Sequence, residues 1–235
     1  NDQYALYNKT VYPFLSSVFE VDGVKYVRVS PSERTCDVID CAYDKSLPTV
    51  NIGETVVNKG ISLHVRQVHD YACYGHPDIQ TLTISHQGNI GNFAFQGCTN
   101  LNKITIGRGV SSIGASAFKD CSQLQSIVIP EGLRTIDTFT FQGCSSLTDL
   151  QIGDSVQTIG NYAFAGCSAL SSVRIPQAVQ TVNDYAFQGC TSLKEVVMDE
   201  RTAGTSEEKD LQLGSNGTSP LFADCPLDSV YIGRN

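Results

Sequence analysis

Five cysteines, Cys98, Cys121, Cys144, Cys167 and Cys190, stand 23 residues apart without exception. A fixed period of this size narrows the possible folds sharply, because a short repeated unit can bury its apolar edge only by stacking on its neighbour. Aligned on the cysteines, the unit reads IGxxAFxGCxxLxxIxIPxxV. One column holds Phe95, Phe118, Phe141, Phe164 and Phe187, and another holds Leu101, Leu124, Leu147, Leu170 and Leu193. The fold expected is a solenoid with regular repeats over residues 90–198.

Each column has a physical reading. LxxIxI alternates at period two and is rich in β-branched residues, which predicts a short strand. Identical strands stacked in register, roughly 4.8 Å apart, form a parallel sheet. The AFxGC segment is too short for a free helix and is expected as a helical turn held by packing on the opposite side. Gly97, Asp120, Gly143, Gly166 and Gly189 close that turn and suit a C-terminal cap with positive φ. Positive φ is also expected at Gly91, Gly114, Asp137, Gly160 and Asn183, a column of residue types that enter the left-handed region.

The flanks are irregular. Residues 1–47 are expected as a β cap or lead-in, with a hairpin around Asp22-Gly23, covering the first open edge of the sheet. Residues 48–235 form the solenoid. Ala72 and Cys73 take the places of Ala94 and Phe95, Val50 and Ile52 resemble an earlier strand, and Val57 to His64 is expected as an inserted hairpin. The polar, turn-rich stretch 199–220 is expected as a surface excursion, before a degenerate last repeat at 221–232.

These residues resemble the BspA-like (Treponema-type) leucine-rich repeats of bacterial surface antigens, from about Pro48 to Ile232. The resemblance implies a right-handed α/β-type leucine-rich-repeat solenoid. It also implies export to the bacterial cell surface, with the signal segment absent from this chain, and roles in adhesion or binding of host and matrix proteins. It fixes neither a ligand nor a set of binding residues.

Composition removes several function classes. The 235 residues carry a net charge of −8, which disfavours nucleic acid and anionic lipid as partners. No apolar run approaches the length that spans a bilayer, so membrane insertion is not expected. No GxSxG elbow, glycine-rich phosphate loop or recurring carboxylate pair suggests catalysis or a cofactor.

The periodic cysteines are expected as a ladder of buried free thiols, since neighbouring phenylalanines and leucines leave no further metal ligands. Cys36 and Cys41 could pair locally or remain free. His64, His69, His76 and His86 cluster before the regular repeats around Cys73, which admits a Cys–His hydrolase site at His69, Cys73 and His76. The repeat register argues instead that Cys73 and His76 are degenerate core residues. The run Glu207-Glu208-Lys209-Asp210 reads as a solvated loop before it reads as a calcium site, and the sequons at Asn8 and Asn216 are expected to be unused.

The strand face remains. Its outward positions include Lys103, Thr105, Asp149, Gln151, Arg174, Glu195 and Tyr231. A mixed polar surface with one aromatic residue favours a protein partner over a sugar. The alternative is a plain solvated face on a spacer within a larger surface protein.

Overall fold

The computed structural model describes residues 18–30, 32–42, 46–199, 212–214 and 220–233. The sequons, the 207–210 run and most of 199–220 lie outside them. The chain winds through stacked coils, and each regular coil contributes to two parallel ladders rather than one.

The first ladder is built from the LxxIxI segments. Thr49–Ile52, Thr81–Ile84, Lys103–Ile106, Ser126–Val128 and Asp149–Gln151 form one sheet, and Ser172–Ile175, Glu195–Met198 and Ser229–Ile232 form another. Register is held column by column, as where Ile127 lies beside Leu150 and Val173 beside Val196. Alternation decides what is buried: Leu82, Ile104, Ile127, Leu150, Val173 and Val196 are all inside. The last strand is exposed along its whole length, because no further coil covers it among the described residues.

The second ladder was not assigned from sequence. Two-residue strands at Asn89–Ile90 and Ser112–Ile113 pair with one another, and those at Thr135–Ile136, Thr158–Ile159 and Thr181–Val182 form a second group. Gln212–Leu213 continues that group by pairing with Thr181–Val182. The stretch 199–220 is therefore not purely a surface excursion, since its Gln212–Leu213 segment pairs as a further rung, although both residues are exposed.

The lead-in strands join this second ladder. Strands β1 (Val18–Val21) and β2 (Val24–Ser30) form a hairpin through Asp22-Gly23, with both turn residues at positive φ. Strand β3 (Thr35–Cys41) pairs antiparallel with β2 and parallel with the long strand Ile61–Val68, which itself pairs with Asn89–Ile90. They thus extend the short-strand ladder, not the edge of the LxxIxI sheet, where Thr49–Ile52 is the outermost strand. Thr55–Asn58 folds back on Ile61–Val68 through Lys59-Gly60 as an inserted hairpin.

The AFxGC side contains no helix among the described residues. Its backbone forms consecutive tight turns, in which Gln96 N–H donates to the Phe93 carbonyl and Cys98 N–H to the Phe95 carbonyl. Alternate N–H groups donate to the next coil instead, Phe93 to Ala115, Phe95 to Ala117 and Gly97 to Lys119. A helix would spend all these donors within one coil, whereas dividing them between turn and neighbour satisfies the backbone and ties the coils together.

The left-handed residues also fall elsewhere than expected. Gly97, Asp120, Gly143, Gly166 and Gly189 do have positive φ, but the Gly91 column does not. Positive φ occurs two residues later, at Phe93, Ser116, Phe139, Tyr162 and Tyr185, with values between 55° and 60°. The glycines at 91, 114 and 160 answer a different need. A Cβ on Gly91 would lie 2.4 Å from the Asp70 nitrogen, and one on Gly160 2.7 Å from the Asp137 carbonyl carbon. Lack of room against the preceding coil, not backbone sign, keeps those three small.

Candidate functional site

The interior columns come first, because they fix the outer surface. Phe95, Phe118, Phe141, Phe164 and Phe187 are fully buried, and neighbouring rings stack with centroids 5.3–5.6 Å apart. Phe222 extends the stack at 5.6 Å from Phe187. Cys98, Cys121, Cys144, Cys167 and Cys190 are buried free thiols. Each has a specific partner: Cys121, Cys144, Cys167 and Cys190 donate to the carbonyls of Phe95, Phe118, Phe141 and Phe164 at 3.3–3.4 Å. Cys98 donates to Cys73 O at 3.1 Å. Burial pushes the Cys98 thiol up to about 12 and raises Cys121 and Cys167 well above the usual range. Nucleophilic thiolate chemistry is suppressed in this column.

Behind the first regular coil the chemistry changes. Cys73, in the phenylalanine column, is disulfide-bonded to Cys41, with Cα atoms 5.0 Å apart. This removes the thiol that a Cys73–His76 hydrolase site requires. It also excludes the local Cys36–Cys41 pair, and Cys36 is free and buried. The reason is distance: both residues lie on strand β3, where a separation of five residues spans roughly 16 Å, beyond the reach of a disulfide. His76 is fully buried beside the Ala42 carbonyl, 3.4 Å from its Nε2.

His69 belongs to another cluster. The buried Asp37 carboxylate accepts two hydrogen bonds from Arg66 at 2.9 Å, one from Gln67 at 2.9 Å, and lies 3.0 Å from His69 Nε2. Burial alone would raise Asp37, but the hydrogen bonds from His69, Arg66 and Gln67 outweigh it and hold the carboxyl at about 2. His86 is fully buried, and neither ring nitrogen has a hydrogen-bond partner among the described residues. Burial lowers it to about 4, so it is neutral at neutral pH. His64 lies exposed on the inserted hairpin. The four histidines thus occupy different environments, and no group of three or more metal-ligating side chains assembles among the described residues.

The strand-face candidates are all exposed: Lys103, Thr105, Asp149, Gln151, Arg174, Glu195 and Tyr231. They are not equally available. Arg174 donates to Asp154 at 3.1 Å and to both carboxylate oxygens of Asp199, so its guanidinium already bridges neighbouring coils. Gln151 reaches Asp149 at 3.4 Å. A shallow groove of about 430 Å³ runs along the ends of these strands, lined by Arg108, Val128, Glu131, Gln151, Asp154 and Arg174 among others. Val128, 55% exposed, supplies an apolar patch beside the charges.

One set of residues escaped the sequence reading. Tyr71, Phe93, Phe139, Tyr162 and Tyr185 form a second, half-buried aromatic column on the turn side. Tyr71 stacks on Phe93 at 4.7 Å, Phe139 on Tyr162 at 5.2 Å, and Tyr162 on Tyr185 at 4.9 Å. The signal was in the second x of IGxxAF, which is aromatic in every regular coil but one.

The BspA-type leucine-rich-repeat region matches this sequence in six copies over residues 66–203. Among curated proteins, none matches it. A leucine-rich-repeat protein of T. pallidum superposes with a TM-score of 0.69 at 27% identity, covering 83% of this chain and 85% of its own. A leucine-rich-repeat protein of Eubacterium ventriosum superposes with a TM-score of 0.60 at 20% identity, over 85% of this chain and 55% of its own. With its repeats matched over more than half its length and its coils superposing on such a protein, the chain belongs to the BspA-type leucine-rich-repeat family.

Proposed function

We propose that this chain is a non-catalytic binding module of the bacterial cell surface, recognising a protein of the host or extracellular matrix through its strand face. The observation that carries the reading is the division of each strand. Inward columns are spent on the core, while the outward positions from Lys103 to Tyr231 stand exposed as a continuous mixed surface. Extended faces of stacked repeats suit macromolecules, and leucine-rich repeats generally mediate protein interactions. The groove beside Val128 combines an apolar floor with charges of both signs, a combination typical of protein interfaces. The Cys41–Cys73 disulfide suits an oxidising compartment and so supports export.

The test is capture from host-surface and matrix extracts by wild type and by an Asp149→Lys, Glu195→Lys double variant. Both positions are exposed, so the fold should hold while the face changes sign. The expected outcome is loss of the specifically captured protein. An unchanged set of captured proteins would favour the spacer reading, in which the solenoid only holds other domains apart.

A further inference from the structure

The outer aromatic column has one missing ring. Tyr71 and Phe93 stack with an interplanar angle of 11°, Phe139 and Tyr162 with 18°, and Tyr162 and Tyr185 with 12°. Between the two groups the same position, with the same left-handed backbone, is Ser116. Coils repeat at roughly 4.8 Å, so the flanking rings of Phe93 and Phe139 stand about 10 Å apart, twice the ordinary stacking distance. One planar ring would restore the series.

The gap is covered in the free protein. Ser116 is only 3% exposed, although its side chain is a single hydroxymethyl group. Lys119, on the same coil, places its ammonium 5.5 Å from the centroid of the Phe139 ring. An ammonium over a ring face gains a modest attraction, and at a half-exposed position it is easily exchanged for water. Since the other face of Phe139 is stacked on Tyr162, the Lys119 ammonium stands on the Phe139 side of the slot left by the missing ring.

We propose that this slot receives an aromatic side chain of a partner protein, inserted between Phe93 and Phe139 as Lys119 swings out. The column itself argues for a ring rather than another group, because its members already stack at this spacing above and below. The site lies on the turn side and does not depend on the strand-face reading.

The chain has no tryptophan, so an added indole reports without background. The protein is titrated into N-acetyl-tryptophanamide and indole anisotropy is followed. Wild type should bind, and Ser116→Phe, which fills the slot from within, should weaken binding about tenfold or more. Phe is compatible with the backbone there, since Phe93 and Phe139 hold the same φ. A denaturation curve confirms that the variant is folded. Lys119→Ala should tighten binding several-fold, and Asp149→Lys on the strand face should leave it unchanged. The proposal is overturned if wild type shows no binding, if Ser116→Phe binds as wild type does, or if N-acetyl-argininamide competes as well as the indole, which would mark a cation site instead.

Discussion

The regular coils and the N-terminal end solve the same problem by different chemistry. Within residues 90–198 every coil has equivalent neighbours, so one small set of contacts is used repeatedly: a stacked phenylalanine, a thiol on the preceding carbonyl, and an inward strand residue. At the N-terminal end the described residues hold no further regular copy to stack on. The phenylalanine column ends at Cys73, which is bonded to Cys41, and the same end of the chain holds the buried Asp37 network and His86, whose ring nitrogens have no hydrogen-bond partner among the described residues. A repeat protein can be stable through uniformity in its middle, but its terminus must be closed by contacts found nowhere else in the chain.

The largest effect expected is in the middle. Phe141→Ala removes a ring stacked on both sides and leaves a cavity, which should cost about 3–5 kcal/mol in chemical denaturation. If the loss is under about 1 kcal/mol, the column is not the spine of the coils. The second concerns the end. The Cys41–Cys73 bond spans a separation of 32 residues, so Cys41→Ser with Cys73→Ser should cost roughly 3–4 kcal/mol by loop-closure entropy. Hydrogen exchange should show the loss concentrated in strand β3 and Ile61–Val68, with residues 100–198 keeping their protection. Uniform loss along the chain would mean that the two regions are one cooperative unit.

The third effect is smaller and depends on pH. His86 is lowered from 6.5 to about 4 by burial, so the unfolded chain takes up a proton that the folded chain refuses. Stability should be full above about pH 6.5 and fall as pH drops toward 4, by roughly 2–3 kcal/mol. Asp37, held at about 2, works in the same direction but only below the ordinary carboxyl range near 3.8. His86→Phe should flatten the upper part of that slope in urea titrations run at several pH values. An unchanged slope would place the acid sensitivity elsewhere.

The middle was legible in sequence and the end was not, for reasons visible in particular residues. The 23-residue period places Phe118 and Cys121 over Phe141 and Cys144 without any knowledge of geometry. The thiol hydrogen bond was hidden, because a cysteine on a preceding carbonyl and a small hydrophobe read alike in a consensus. The turn side was misread as helical because short apolar runs do not reveal whether backbone donors serve their own coil or the next. The Gly91 column shows that a run of small residues can mean left-handed backbone or simply a neighbour too close for a Cβ. Cys41 lies outside the period, so nothing in the spacing linked it to Cys73. The strand-face residues could be placed as exposed, yet the clasp of Arg174 by Asp154 and Asp199 depends on loops that the consensus leaves blank.

The thiols that donate to phenylalanine carbonyls carry a consequence for how such a chain is made. In an oxidising space, a polypeptide with nine cysteines could scramble into many wrong pairings. Once coiled, Cys98 through Cys190 are shielded, protonated and individually engaged, which leaves Cys36, Cys41, Cys73 and Cys225, of which Cys41 and Cys73 are joined. Coiling thus withdraws the five ladder thiols from disulfide exchange, which needs an accessible thiolate.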